Sequence, residues 1–312
     1  MRGFNTSREA LGMWNALKML TNRYDITSTI VVAGSPRSGT TWVAEVLNTI
    51  PDSSILYEPL YLRSDPSLKE IGFKWRTFIS SDSDLPGARE FIRDVLAAKI
   101  LNGWTLSLVD KGHITSTKVW IVKFVRANML LGWMVRRFPI KPPLAIVRHP
   151  CAVVASQLRM GEKHWKNPSI DYPEFFENYS QFKPVKDKVK SVEEKLALIW
   201  CIENFSVFTE PKPYPWFLVT YEELVKDSVK KFTEIFEHFG HAISSEAIKK
   251  IKKDSSTTVK DELSWHRLKS WQKYLNRDQA AAILDIVSQF GLDFYSENFE
   301  PDYERIYSNH PL

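Results

Sequence analysis

Gly34-Ser35-Pro36-Arg37-Ser38-Gly39-Thr40-Thr41 is the stretch on which the reading of this chain turns. Gly34 and Gly39 have the spacing of the nucleotide phosphate loop G-x-x-x-x-G-K-[ST], in which glycines let the backbone turn its N–H groups onto an anion. Upstream, Ser28 to Ala33 is a β-branched apolar run that predicts a buried parallel strand. Downstream, Thr41 to Leu47 has helical spacing, and the N-terminus of such a helix adds partial positive charge. Strand, glycine loop and helix in this order predict an anion site rather than a plain turn. Where the motif has lysine this chain has Thr40, and the positive charge has moved back into the loop at Arg37.

Outward from the loop, strands are predicted at residues 55–57, 119–124, 143–147 and 216–220. Helices are predicted at 88–101, 127–138, 150–160, 192–209, 246–253 and 278–290. A further helix is expected from the apolar stripe Val225, Val229, Phe232, Phe236 and Phe239. Alternating strands and helices imply an α/β fold, a P-loop-type central parallel sheet with helices on both faces. No Gly-, Ser- or Pro-rich linker divides the chain, so residues 1–312 are read as a single domain. Residues 1–25 form an N-terminal helical extension, and residues 60–116 form an insertion covering the site.

The composition excludes several classes. With 312 residues, 44% hydrophobic and 25% charged, the chain is neither disordered nor fibrous. A net charge of +5 is too thinly spread for the basic face of a nucleic-acid binder. Two cysteines, Cys151 and Cys201, are too few for a disulfide framework or a paired-cysteine zinc site, which predicts a reducing compartment. No run of 18 apolar residues suggests a membrane span, and the N-terminus lacks the pattern of a secretory signal. The expected location is cytoplasmic, with the segment Ala10 to Leu20 as an amphipathic helix packed on the domain.

A second cation follows the strand at 143–147, which ends in Arg148-His149-Pro150. Enzymes that use a magnesium nucleoside triphosphate usually carry an acidic residue at such a strand end; an arginine there repels the metal and invites another phosphate. Arg148 can clamp a phosphate bidentately, and the Ser156 hydroxyl, on the helix that Pro150 opens, can donate a further hydrogen bond. The ligand expected from these residues is a nucleotide with an additional phosphate and no required metal.

Ser35 to Trp42 resembles the 5′-phosphosulfate loop of sulfotransferases that use 3′-phosphoadenosine-5′-phosphosulfate (PAPS), and Ile146 to Pro150 with Ala155-Ser156 resembles their 3′-phosphate site. Lys123, Tyr221-Glu222-Glu223-Leu224 and Trp271 also have counterparts, and Leu56-Tyr57-Glu58-Pro59-Leu60 is most similar to carbohydrate-type members. The resemblance implies a sulfotransferase with PAPS as donor cosubstrate, adenosine 3′,5′-bisphosphate as product and no metal. Donor-binding positions are Arg37, Ser38, Gly39, Thr40, Thr41, Arg148, Ser156 and Tyr221. Trp42 is placed to stack on adenine, and Arg267 lies in a segment, with Ser255 to Thr258, that the family puts over the nucleotide.

Sulfuryl transfer needs an in-line acceptor oxygen, a base for its proton, and cations on the sulfonate. Arg37 supplies charge but no proton, and Lys123 is the second catalytic cation. The histidine that several members carry two residues after this lysine is Val125 here. Glu58 is the carboxylate expected to act as base, its pKa raised toward neutrality by a dry cleft. Alternative bases are His113 and His266, and the alternative role for Glu58 is capping or pairing with an arginine. The acceptor is expected to be a hydroxyl, or an amine as second choice, on a natural product or carbohydrate. A kinase-like enzyme using a magnesium nucleoside triphosphate and a non-catalytic nucleotide-binding module are the rival readings.

Overall fold

The computed structural model describes residues 24–83, 85, 87–109, 114–161, 163–211, 213–253 and 266–307, except for the side chains of residues 163, 164, 266 and 267. Five parallel strands form one sheet in the order β2-β3-β1-β4-β5. They are β1 Ile30–Gly34, β2 Ser53–Tyr57, β3 Val119–Phe124, β4 Leu144–Val147 and β5 Phe217–Thr220. Because all run the same way, every carboxyl end lies at one edge. The chain leaves β1 toward β2 on one side and leaves β4 toward β5 on the other. The crevice at the carboxyl ends of these two neighbours is therefore the topological switch point, where open α/β sheets bind ligands.

Strand residues alternate between two buried layers. Val31, Ala33, Val122, Ala145 and Val147 face one core, which includes helices α2 Ala88–Leu96, α3 Leu131–Arg137, α4 Pro150–Met160, α5 Val192–Phe208 and α9 Arg277–Gln289. Ile30, Val32, Ile121, Leu144 and Ile146 face the other, formed with α1 Thr40–Leu47, α7 Ser228–His238 and α8 Ser245–Ile251. Among the described residues there is one sheet with helices on both faces. From the described part of 60–116, Leu60, Leu62, Leu68, Phe73, Phe91, Ile92 and Val95 join the first core. No described helix is long and apolar enough to cross a membrane. Both cysteines are buried and free.

Two predicted helices are corrected. The stripe from Val225 to Phe239 is split by Asp227 into α6 Tyr221–Lys226 and α7. Val229 is 44% exposed, and the buried face of α7 is Phe232, Ile235 and Phe236, followed by Phe239. A capping box between Thr220 and Glu223 starts α6 at the end of β5, one helix earlier than the apolar spacing implied. The helix predicted to run to residue 101 stops at Leu96, and Ala98 takes a left-handed φ of 51°. The N-terminal segment Ala10 to Leu20, His113 and Ser255 to Thr258 lie outside the described residues, as do the side chains of His266 and Arg267.

Candidate active site

The glycine loop follows β1 and is tied down from three directions. Gly34 leaves no room for a side chain: a Cβ there would lie 2.7 Å from the Ile146 carbonyl oxygen and 2.6 Å from Ser38 Oγ. Gly39 caps α1 with φ 97°, a left-handed conformation natural to glycine, and a Cβ on it would sit 2.6 Å from the Tyr221 ring. Asn204, buried on α5, donates from Nδ2 to Ser35 Oγ at 3.1 Å, and Gln157 on α4 donates to the Pro36 carbonyl at 3.3 Å. Ser38, Thr40 and Thr41 are buried, and the Ser38 hydroxyl donates to the Ser35 carbonyl at 2.6 Å. Arg37 takes φ 77°. A non-glycine residue in this region stores about 1 kcal/mol of strain, which persists only where surroundings impose it.

Arg148 leaves the end of β4 and reaches the same loop. Its Nη1 donates to the Arg37 carbonyl at 2.9 Å, and its guanidinium carbon lies 4.2 Å from the Tyr221 ring centroid. Arg37 Nε in turn donates to Ser156 Oγ at 2.9 Å. The structure thus brings together Arg37, Arg148, Ser156 and Tyr221 between the ends of β1, β4 and β5. Arg148 Nε is buried without a hydrogen-bond partner. A buried guanidinium N–H left open beside a cradle that a single methyl group would fill fits a bound anion.

Trp42 turns toward the second core. Its ring meets Phe232 edge-on at 5.1 Å and Tyr221 at 6.1 Å, and its indole N–H is buried without a partner. Behind Arg148, His149 caps α4: its Nδ1 accepts from the Cys151 N–H, and Nε2 lies 2.9 Å from the Ser296 carbonyl. This pairing makes Nδ1 the acceptor and Nε2 the donor. Burial pushes the His149 pKa down to about 4, and its ring stacks on Trp271 at 5.3 Å. Glu222, wholly buried on α6, accepts the His149 N–H at 2.9 Å and the Tyr295 hydroxyl at 3.2 Å. Burial raises its pKa to about 7, against these hydrogen bonds and the charge of Arg148.

Glu58 sits at the end of β2 with φ 41°. Its N–H donates to the Lys123 carbonyl at 2.9 Å, prolonging the pairing of Tyr57 with Lys123 by one residue. Its carboxylate accepts from Lys123 Nζ at 2.6 Å and from Arg126 Nη1 at 2.9 Å. Lys123 is only 1% exposed, with its ammonium 4.4 Å from the Tyr57 ring centroid. The expectation of a raised carboxyl pKa is overturned here. Burial does push it up, but Lys123 and Arg126 together hold Glu58 below the ordinary carboxylate value. The carboxylate is ionised at any pH near neutrality. The expected pairing of Glu58 with an arginine is real, and Arg126 is that partner.

Arg126 and Asn204 have no motif to mark them in the sequence, and Glu222, though part of Tyr221-Glu222-Glu223-Leu224, has no role assigned to it. Arg126 lies three residues past Lys123, on the far side of the strand end, and only the turn of the backbone returns it to Glu58. Asn204 lies mid-helix, four residues after Trp200, whose indole N–H donates to the Arg148 carbonyl at 3.0 Å. The shared one-turn spacing places both on the face of α5 toward the loop, a signal legible only once that face is known.

A glycine-cradled cation at one strand end, joined to a second cation at the neighbouring strand end, marks the carboxyl edge of this parallel α/β sheet as the candidate site. The Sulfotransferase family model matches residues 29–245, and the chain belongs to that family. Similar solved structures include the sulfotransferase domain of the olefin synthase of Synechococcus PCC 7002, 17% identical, with 84% of this chain and 94% of that one covered and a TM-score of 0.46. The sulfotransferase domain from the curacin biosynthetic pathway is 15% identical, covering 86% of this chain and 97% of that one, with a TM-score of 0.48. Mouse sulfotransferase SULT7A1, solved with PAP, is 17% identical, covering 88% of this chain and 87% of that one, with a TM-score of 0.41. No curated protein matches the chain.

Proposed function

We propose that the protein transfers a sulfuryl group from PAPS to a hydroxyl, or as second choice an amine, of a small natural product or carbohydrate. The observation that carries this reading is the linked pair Arg37 and Arg148, with Arg148 Nε buried and unpaired at the switch point of the sheet. Two cationic places held by different strand ends suit a donor with two separated charged groups, and a strand-end arginine in place of an acid does not suit a magnesium-bound triphosphate. The donor, when bound, supplies the sulfuryl group. Arg37, Ser38, Gly39, Thr40 and Thr41 hold its 5′ side, and Arg148 and Ser156 hold its 3′-phosphate. Tyr221 supports Arg148, whereas Trp42, packed on Phe232 and Tyr221 in the second core, is left out of the donor site. Arg37 stabilises negative charge but does not release a proton.

In this reading Glu58 is the general base and takes the proton of the acceptor hydroxyl. Its two cations keep it ionised, which a base requires, while weakening its pull on a proton. An anion arriving beside Lys123 would compete for that ammonium and raise the basicity of Glu58, so base strength would rise with the donor in place. Tyr57 flanks Lys123 with a ring face and limits the water that can reach it.

A thermal-shift series tests the reading. Adenosine 3′,5′-bisphosphate is expected to raise the melting temperature without added metal, and adenosine 5′-monophosphate far less. Stabilisation by ATP with Mg²⁺ and none by adenosine 3′,5′-bisphosphate would favour the kinase-like alternative and end the proposal.

A further inference from the structure

A cavity of about 340 Å³ is lined in part by Arg126, the residue that also bonds Glu58. Its lining combines cations with aromatic rings: Arg63, Lys74, Arg76 and Arg126 together with Tyr61, Trp75, Trp165 and Tyr172. Three of the four cations already have carboxylate partners. Arg126 bonds Glu58, Arg76 bonds Glu203, and Lys74 bonds Glu174. Arg63 has no carboxylate partner among the described residues. It lies over the ring of Trp75, its guanidinium carbon 5.5 Å from the centroid. Arg126 lies 5.4 Å from the same ring and 5.2 Å from Tyr61, so Trp75, itself 41% exposed, holds both guanidiniums at the mouth of the cavity. A guanidinium resting on an aromatic face keeps its N–H edge open for an oxyanion.

The rest of the lining is different in kind. Asn167, Ser169 and Asp171 form an exposed polar rim on the segment that precedes Tyr172. Asp171 is the one carboxylate in the lining, and no ion pair engages it among the described residues. Amide, hydroxyl and carboxylate groups set against aromatic walls suit a polyhydroxylated ring, whose hydroxyls donate to oxygens and whose C–H face rests on aromatics.

We infer that this cavity takes the acceptor and that the acceptor is an acidic sugar, its oxyanion met by Arg63 and its hydroxyls by the rim carrying Asp171. The inference rests on the proposed sulfuryl transfer, because it makes Arg126 the hinge between the cavity and the base. It goes further in naming what the acceptor must carry: a negative group on a sugar ring, separate from the hydroxyl presented to Glu58.

The test is direct binding, which does not depend on turnover. Calorimetry would compare p-nitrophenyl β-D-glucuronide with p-nitrophenyl β-D-glucoside, and both with 4-hydroxyphenylacetate as an acid without a sugar ring. The glucuronide is expected to bind about tenfold tighter than either, since a charge-assisted contact at Arg63 is lost in one and the hydroxyl contacts in the other. Arg63→Ala, an exposed position whose change does not threaten folding, should erase the preference over the glucoside. Arg63→Lys should keep part of it. Equal binding of glucuronide and glucoside, no binding of the glucuronide at millimolar concentration, or an undiminished preference in Arg63→Ala would overturn the oxyanion site. Equal binding of 4-hydroxyphenylacetate would overturn the sugar. Adenosine 3′,5′-bisphosphate titrated into the same sample separates the two claims: if it binds while the preference is absent, only this inference falls, and if it fails to bind while the preference holds, the donor reading falls instead.

Discussion

Replacing Glu222 with glutamine should make the protein progressively more stable than wild type as pH rises. The carboxyl sits at about 7 in the fold against an ordinary 4.5, with burial as the main cause. The folded state therefore holds a proton between these values that the unfolded chain has lost. Stability from the neutral carboxyl is complete below about pH 4.5 and is lost as pH climbs through 7. Each tenfold change in proton affinity is worth about 1.4 kcal/mol, so the full effect is about 3 kcal/mol, most of it between pH 5 and 8. His149 acts in the opposite sense, since burial sets it at about 4 against 6.5. Its contribution is present above pH 6.5 and is lost as pH falls toward 4. Comparing Glu222→Gln with wild type at each pH cancels His149 and every other group. The glutamine also keeps an oxygen for the His149 N–H. Paired melts at pH 5, 6, 7 and 8 should show the variant gaining about 5 °C on wild type across the range, at about 2 °C per kcal/mol for a chain of this size. A constant difference, or one that shrinks with pH, would refute the claim that burial keeps this carboxyl protonated.

Arg148→Ala should weaken adenosine 3′,5′-bisphosphate by about tenfold or more while leaving adenosine 5′-monophosphate nearly unchanged, as read by calorimetry; equal loss for both would remove Arg148 from the 3′ side. Glu58→Gln keeps an oxygen for Lys123 and should leave nucleotide binding intact while lowering turnover by about 10²-fold, measured with sulfur-labelled PAPS; near-normal turnover would disqualify Glu58 as the base. Gly39→Ala forces a methyl group onto the Tyr221 ring at a left-handed φ, so a loss of about 1–3 kcal/mol in urea melts is expected, together with loss of nucleotide binding.

The sheet was legible because each strand is short, apolar and bounded by turn chemistry, and parallel strands buried on both faces read as continuous hydrophobic runs. The break at Asp227 was not, because Val225 and Val229 fit a single helical stripe, and only the Thr220–Glu223 capping box reveals that a separate helix starts at the strand end. At the site, Arg37 stood out as the charge inside the glycine loop, and Arg148 because it follows a strand directly. Glu58 was found for the same reason, but its electrostatics were misread. Pattern alone does not tell whether a cleft carboxylate meets empty apolar space or two cations, and the second cation, Arg126, comes from a turn that periodicity does not describe.

One aromatic ring has an outsize consequence. Tyr221 lies against Gly39 on one side and beneath Arg148 on the other, while Arg148 and Ser156 both hold Arg37. The two cations are thereby joined through one connected set of contacts, so that a shift of one strains the contacts of the other. In the proposed reading such a frame would work as a calliper, selecting a ligand by the span between its charges, not by their number. Adenosine 2′,5′-bisphosphate and adenosine 5′-diphosphate resemble the 3′,5′ isomer in charge but not in span, and a site of this construction would turn both away.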